Sequence, residues 1–286
     1  MKTRRQFLSD LGKLSLGLAL PLPSCSSIPI NPDLTIGAVS DIEGSFENAR
    51  KSSGDLRYSG ANLVLIAGDC YENETIRRRP QYPHSKDNRE EMYNGLQPFA
   101  ELKIPMLVIP GNHEEQEVYD DVVKEIQNSY PNVSNVNGES LSVGGINVVG
   151  LGGYYDPRFT PRNGFHLSRE DYKKAYSQIN QISKNTNPTI FLTHSPPRSA
   201  GNIDYVKSIR RNVGDLELAR IMNSPFEDTK LINVHGHIHE QGGKSFDYPA
   251  GTAYNIASVT DYLRYGANTS LFYLKDGKFS HEEITR

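Results

Sequence analysis

The sequence predicts an α/β fold in which two mixed sheets pack together and are flanked by helices, a four-layer α/β/β/α sandwich. Three observations lead there. Short continuous apolar runs recur, such as Leu63-Val64-Leu65-Ile66 and Met106-Leu107-Val108-Ile109, as buried parallel strands require. Segments of helical period alternate with them along the chain. The 286 residues are 36% hydrophobic and 23% charged, enough for one sizeable core, and no internal repeat suggests a second.

The chain opens on an address. Arg4 and Arg5 precede Phe7-Leu8 and a short greasy run over residues 14–22, too short to cross a bilayer as a helix. A basic start, an apolar segment and small residues after it are the parts of a signal peptide, and the arginine pair resembles a twin-arginine export signal. Leu22-Pro23-Ser24-Cys25 resembles a lipoprotein processing site, with Pro23 in place of the usual small residue. The expectation is a signal peptide over residues 1–24, lipidation at Cys25, and export to the periplasm or the outer face of a bacterial membrane. The alternative is that Arg4 and Arg5 are chance charges before an amphipathic helix.

Residues 25–33 are expected to be a Pro-containing linker and residues 34–286 the folded domain. Within it, residues 34–39 form a strand that stops at Ser40-Asp41, and residues 46–53 a short helix. The strand over 63–66 stops at Gly68-Asp69, and residues 88–102 carry Met92, Leu96 and Leu102 near one helical face. The strand over 106–109 is stopped by Pro110-Gly111-Asn112, and a helix over 114–127 has an acidic first turn, as the macrodipole favours. Residues 140–151 are two strands around Gly144-Gly145. Then follow a helix over 168–183, a strand over 189–193, a helix over 216–222 and a strand over 231–234. Strands over 254–256, 271–273 and 278–284 end the order, the last two joined by Asp276-Gly277.

Composition closes several routes. The formal net charge is −3, and removing Lys2, Arg4, Arg5 and Lys13 with Asp10 makes the mature chain more acidic still. A surface for specific nucleic-acid binding is therefore not expected. Two cysteines make no disulfide framework. What stands out is where the polar residues fall. Five expected strands end in a residue able to hold a metal: Asp41, Asp69, Asn112, His194, and the pair His237 and His239. Ligand sites in α/β sheets gather beyond the carboxyl ends of strands.

Asp41-Ile42-Glu43-Gly44-Ser45, Gly68-Asp69, Gly111-Asn112-His113-Glu114, Thr193-His194 and Gly236-His237-Ile238-His239 together resemble the five blocks of the calcineurin-like metallophosphoesterases. That resemblance spans residues 34 to about 260. It implies a phosphoesterase acting on a small phosphate mono- or diester through two divalent ions about 3.5–4 Å apart, with a bridging hydroxide as attacking group. It further implies that Asp41, Asp69 and His239 hold the first ion and Asp69, Asn112, His194 and His237 the second. Asp69 would be the bridging residue, and His113 would protonate the leaving oxygen. An oxygen and nitrogen donor set without thiolate suits Mn, Fe or Zn, and equally Co or Ni.

One position departs from the family pattern, which has histidine two residues after the first aspartate. This chain has Glu43. Three readings stay open: Glu43 ligates the first ion, or it hydrogen-bonds a metal-bound water or His113, or the first site is weak. In the last case the protein is a degenerate metal- or ligand-binding lipoprotein. A third carboxylate moves the first site toward hard, oxygen-preferring ions such as Mn or Mg.

Other signals have plainer explanations. His84, His166, His235 and His281 belong to no motif and are expected to be surface or packing residues. Gly150-Leu151-Gly152-Gly153 lacks the spacing of a dinucleotide loop, and His194-Ser195 has no nucleophile elbow around it. Arg77-Arg78-Arg79 is expected in a solvated loop, the alternative being contact with a phosphate or lipid headgroup. Tyr154, Tyr155 and Arg198 follow strand ends on the rim of the cleft and are candidates for contacting substrate, arginine through a forked bond to phosphate. A membrane partner is expected only through a lipid anchor.

Overall fold

The computed structural model describes residues 33–71, 88–184, 187–199, 202–226, 230–258, 268–275 and 278–285. The export signal, Cys25, the expected linker up to residue 32, the Arg77 to Arg79 run and the Asp276-Gly277 turn lie outside the described residues. Among the described residues no helix is long and apolar enough to cross a membrane.

In chain order the first half contains β1 (Asp33–Val39), α1 (Phe46–Tyr58), β2 (Leu63–Ile66), α2 (Asn88–Ala100), β3 (Met106–Val108), α3 (Gln116–Ser129) and β4 (Val133–Asn135). There follow β5 (Ser140–Val143), β6 (Ile146–Leu151), α4 (Arg169–Ile182), β7 (Thr189–Thr193), β8 (Tyr205–Val206), β9 (Arg211–Asn212) and α5 (Leu216–Met222). Then come β10 (Leu231–His235), a single 3₁₀ turn (His239–Gln241), β11 (Ser245–Tyr248), β12 (Gly251–Asn255), β13 (Asn268–Lys275) and β14 (Lys278–Thr285).

The strands form two six-stranded mixed sheets. The first has the order β14-β13-β1-β2-β3-β4 and the second β11-β12-β10-β7-β6-β5. In each, four parallel strands occupy one stretch; antiparallel strands add to one side of the first sheet, β13 and β14, and to both edges of the second, β11 and β5. A short β8–β9 ribbon stands apart. Alternation along the strands sends side chains to both faces, so the inner strands β2, β3, β6, β7 and β10 are buried on both. Ile36, Leu65 and Leu107 from the first sheet meet Val148, Leu192 and Val234 from the second in the central core. Outside the first sheet, Leu56, Leu96, Phe99 and Val122 of α1 to α3 pack on Val64 and Val108. Outside the second, Tyr172, Ile179 and Leu218 of α4 and α5 cover Val149 and Phe191. The four expected layers are present.

Several boundaries differ from expectation for identifiable reasons. Helix α1 continues past residue 53 to Tyr58, because Leu56 is buried where Gly37 leaves room for its side chain. Helix α3 begins at Gln116 rather than residue 114, since Glu114 is turned inward and fully buried. Strand β12 is Gly251–Asn255 rather than residues 254–256. Strands β4, β8, β9 and β11 went unexpected. Each is short and carries exposed or half-buried positions, so pairing with a neighbour, not its own pattern, defines it.

Candidate metal centre

The loop after β1 carries Asp41 and Glu43, that after β2 carries Asp69, and that after β3 carries Asn112 and His113. From the second sheet, His194 follows β7, and His237 and His239 follow β10. Parallel strands open their carboxyl ends on one side, which brings residues distant in sequence to one crevice.

Backbone conformation marks the same residues. Six described non-glycine residues have positive φ, and four of them are Asp41 (55°), Glu43 (47°), Asp69 (52°) and His237 (72°). Such conformations cost about 1–3 kcal/mol each and persist where surrounding contacts enforce them. Here the Asp41 N–H donates to the Gly68 carbonyl at 3.0 Å and the Glu43 N–H to the Asp69 carbonyl at 2.9 Å. Two motif glycines are needed for close approach. A side chain at Gly236 would collide with the Ser40 hydroxyl and the Asp41 carboxylate, and one at Gly111 with the Asp69 carboxylate.

The donors fall into two groups. In the first, His239 Nε2 lies 3.1 Å from Asp41 Oδ1 and 3.3 Å from Glu43 Oε1. The His237 N–H donates to both Asp41 oxygens at 3.1 Å. Burial alone would raise the Asp41 pKa, but the charge and hydrogen bond of His239 hold it below the ordinary carboxylate value.

In the second group, Asp69, His194 and His237 present ligand atoms within 4.8 Å of one another. His194 Nε2 is 2.8 Å from Asn112 Oδ1 and 3.3 Å from Asp69 Oδ2. Both side chains are oriented from behind. His194 Nδ1 meets the Ala67 carbonyl at 2.8 Å, so it carries a proton, and Asn112 Nδ2 donates to the Phe159 carbonyl at 2.6 Å. His194 therefore turns its Nε2 to Asp69 and Asn112 its Oδ1 to His194, the backing usual for metal-ligating side chains. Burial opposes charge on His194, yet Asp69 and Asp41 outweigh it and push its pKa up to about 9. His237 is pulled down to about 3, first by burial and then by the positive His194. Asp69 resists its own burial because His113 and His194 hold it well below the usual carboxylate range.

His113 joins this group through its backbone, whose N–H donates to Asp69 Oδ1 at 2.9 Å, while its Nδ1 lies 3.7 Å from Asp69 Oδ2. The rim candidates have different surroundings. The Tyr154 ring packs 4.5 Å from that of His237, and its hydroxyl donates to the Val213 carbonyl at 2.8 Å. Tyr155 is partly open to solvent beside it. Arg198 Nε donates to the Gly214 carbonyl at 2.9 Å and lies 3.5 Å from Asp204 Oδ2, which ties it to the following loop.

Sequence reasoning missed the work of Glu114. Its carboxylate accepts from the backbone N–H groups of Asp69, at 3.2 Å, Gly111, at 2.7 Å, and Cys70, fastening the loop after β2 to the loop after β3. Burial, then the nearby Asp69 charge, raise its pKa to about 7. An acidic residue at a helix start already had an explanation in the macrodipole, which hid this role. Phe159 was also missed; only its position in an aromatic loop after β6 hinted at it.

The donors suit hard or borderline divalent ions. Carboxylate and amide oxygens and imidazole nitrogens converge without a thiolate, and the described ligand geometry is backed by the hydrogen bonds needed to hold it. Comparisons with known proteins agree. The family model for calcineurin-like phosphoesterase matches residues 34–241. A crystal structure of a Thermus thermophilus protein superposes with a TM-score of 0.64 at 16% identity, covering 87% of this chain and 98% of that one. A dimetal phosphatase from Danio rerio superposes with a TM-score of 0.64 at 12% identity, covering 89% and 97%. These likenesses support the same two-sheet fold. No curated protein matches by sequence.

Proposed function

The chain belongs to the calcineurin-like phosphoesterase family, and from that premise we propose that it hydrolyses a small phosphate mono- or diester at a centre of two divalent ions. Asp41, Glu43, Asp69 and His239 would hold the first ion, and Asp69, Asn112, His194 and His237 the second. When bound, the ions supply an acidified water and positive charge facing the phosphoryl oxygens. The protein's part is to orient. Asp69 serves both groups, and Glu114 sets the loops that carry Asp69 and Asn112. The Ala67 and Phe159 carbonyls fix the rotation of His194 and Asn112. His113, tethered to Asp69 through its backbone, would deliver a proton to the departing oxygen.

The observation that carries this reading is the convergence of donors from five strand ends on one crevice. The place of Glu43, 3.3 Å from His239 and turned to the same group as Asp41, favours a ligand over a vestigial position. Hydrolysis of bis-p-nitrophenyl phosphate and p-nitrophenyl phosphate with added Mn, alongside metal analysis, tests the proposal. Wild type should bind two ions per chain and turn over. Asp69→Asn should lose activity by about three orders of magnitude, since it weakens both ion sites. Equal inertness of the two proteins across several metals, or one ion per wild-type chain, would refute it.

A further inference from the structure

The donor groups account for the phosphate end of a substrate. The loop over residues 153–166 offers a different surface. From His237 outward the rings form a continuous tier: Tyr154 lies 4.5 Å from His237, Tyr155 lies 4.8 Å from Tyr154, and Phe159 lies 6.3 Å from Tyr154. The inner ring is committed, because Tyr154 is 1% exposed and its hydroxyl is bonded to Val213. The outer two are open, Tyr155 at 39% and Phe159 at 40% exposure. Their loop is fastened to the centre, since the Phe159 carbonyl accepts the Asn112 amide. Among the described residues, the other exposed large apolar side chains are Phe46, Tyr58, Tyr176 and Leu216 on helices and Ile209 in the turn between β8 and β9.

The charge beside these rings is already matched. The Arg158 guanidinium lies 5.6 Å from the Phe159 ring centre and forms a forked pair with Asp156, its Nε 2.9 Å from Oδ1. The cation that lies against the Phe159 ring is thus already paired within its own loop. Flat rings stack on such faces, in a way an aliphatic chain does not reproduce.

We propose that Tyr155 and Phe159 form a stacking platform that favours phosphate esters whose alcohol portion bears a planar ring, as a nucleotide does. This rests on the phosphoesterase reading of the centre. Substitution can isolate the platform, because Phe159 holds Asn112 through its backbone and Tyr154 is anchored from elsewhere.

Calorimetry on metal-loaded protein would compare a nucleoside 5′-monophosphate, hexyl phosphate and glycerol 3-phosphate. Wild type should bind the nucleotide about tenfold more tightly than glycerol 3-phosphate. The combined Tyr155→Ala and Phe159→Ala variant should lose that preference, and Phe159→Leu, which keeps bulk without a π face, should lose most of it. Tyr155→Phe and Phe159→Tyr should retain it. An equal gain for hexyl phosphate, a preference that survives the double alanine change, or no binding of any of the three would overturn the proposal. Because the readout is binding, a protein that selects the ring yet hydrolyses no ester would defeat the phosphoesterase reading and leave the platform standing.

Discussion

The two sheets bring different chemistry to the same crevice. Every oxygen donor, Asp41, Glu43, Asp69 and Asn112, comes from loops of the first sheet. Every imidazole proposed as a ligand, His194, His237 and His239, comes from the second. Neither sheet alone holds a mixed donor set, so the centre exists only because Ile36, Leu65 and Leu107 are packed against Val148, Leu192 and Val234. The division also makes the two donor groups unequal. With Asp69 counted in both, one has three carboxylates and an imidazole; the other has a carboxylate, an amide and two imidazoles. The lesson is that the fold sets where donors meet, while single residues at strand ends set which ion each group prefers.

The severest way to break this contrast is to remove nitrogen from the second group. His194→Ala should lower affinity for the second ion by at least about 100-fold, read by competition with a metal indicator, because it also leaves Asp69 and Asn112 without their partner. The same residue gives the contrast a pH signature. With its pKa up at about 9, His194 must release a proton before it can ligate, so affinity should rise about tenfold per pH unit toward pH 9. His237, down at about 3, adds no such slope. In metal-free protein the sign is opposite. The His194 proton stabilises the fold fully below its ordinary value of 6.5, and that contribution is lost as pH rises through about 9.

A gentler change would sharpen the comparison by making the groups alike. Glu43→His should shift the first group's preference from Mn toward Zn by about tenfold, measured as the ratio of the two affinities. An unchanged ratio would mean that Glu43 does not ligate. A last expected effect, on stability and not on affinity, concerns the oxygen side's scaffold. Glu114→Gln keeps two acceptor positions fewer for the three backbone N–H groups it now serves, and should cost about 1–3 kcal/mol in denaturant unfolding. An effect near zero would show that the loops after β2 and β3 hold their shape without it.

Much of this was legible in the sequence, and the reasons are local. Leu63-Val64-Leu65-Ile66 announces β2 because a strand buried on both faces is apolar throughout, and the first polar residues after it sit at the crevice. The histidines could be singled out because the motifs place them directly after such runs. What stayed hidden depends on partners. Strand β11 has a half-exposed pattern and is defined by its pairing with β12. Glu114 looks like any acid before a helix until the N–H groups of Asp69, Cys70 and Gly111 are seen around it. The stacked order from His237 through Tyr154 to Phe159 needs the loop's path, which no period encodes.

Strand β1, which delivers Asp41, is hydrogen-bonded on one side to β2 and on the other to β13, with Asp33 facing Lys275 and Ala38 facing Ser270. The first strand of the element order and the last but one are thus neighbours. A polypeptide still emerging from the ribosome would have its first carboxylate on an unzipped border until β13 arrived, and cation capture would have to wait for that late closure.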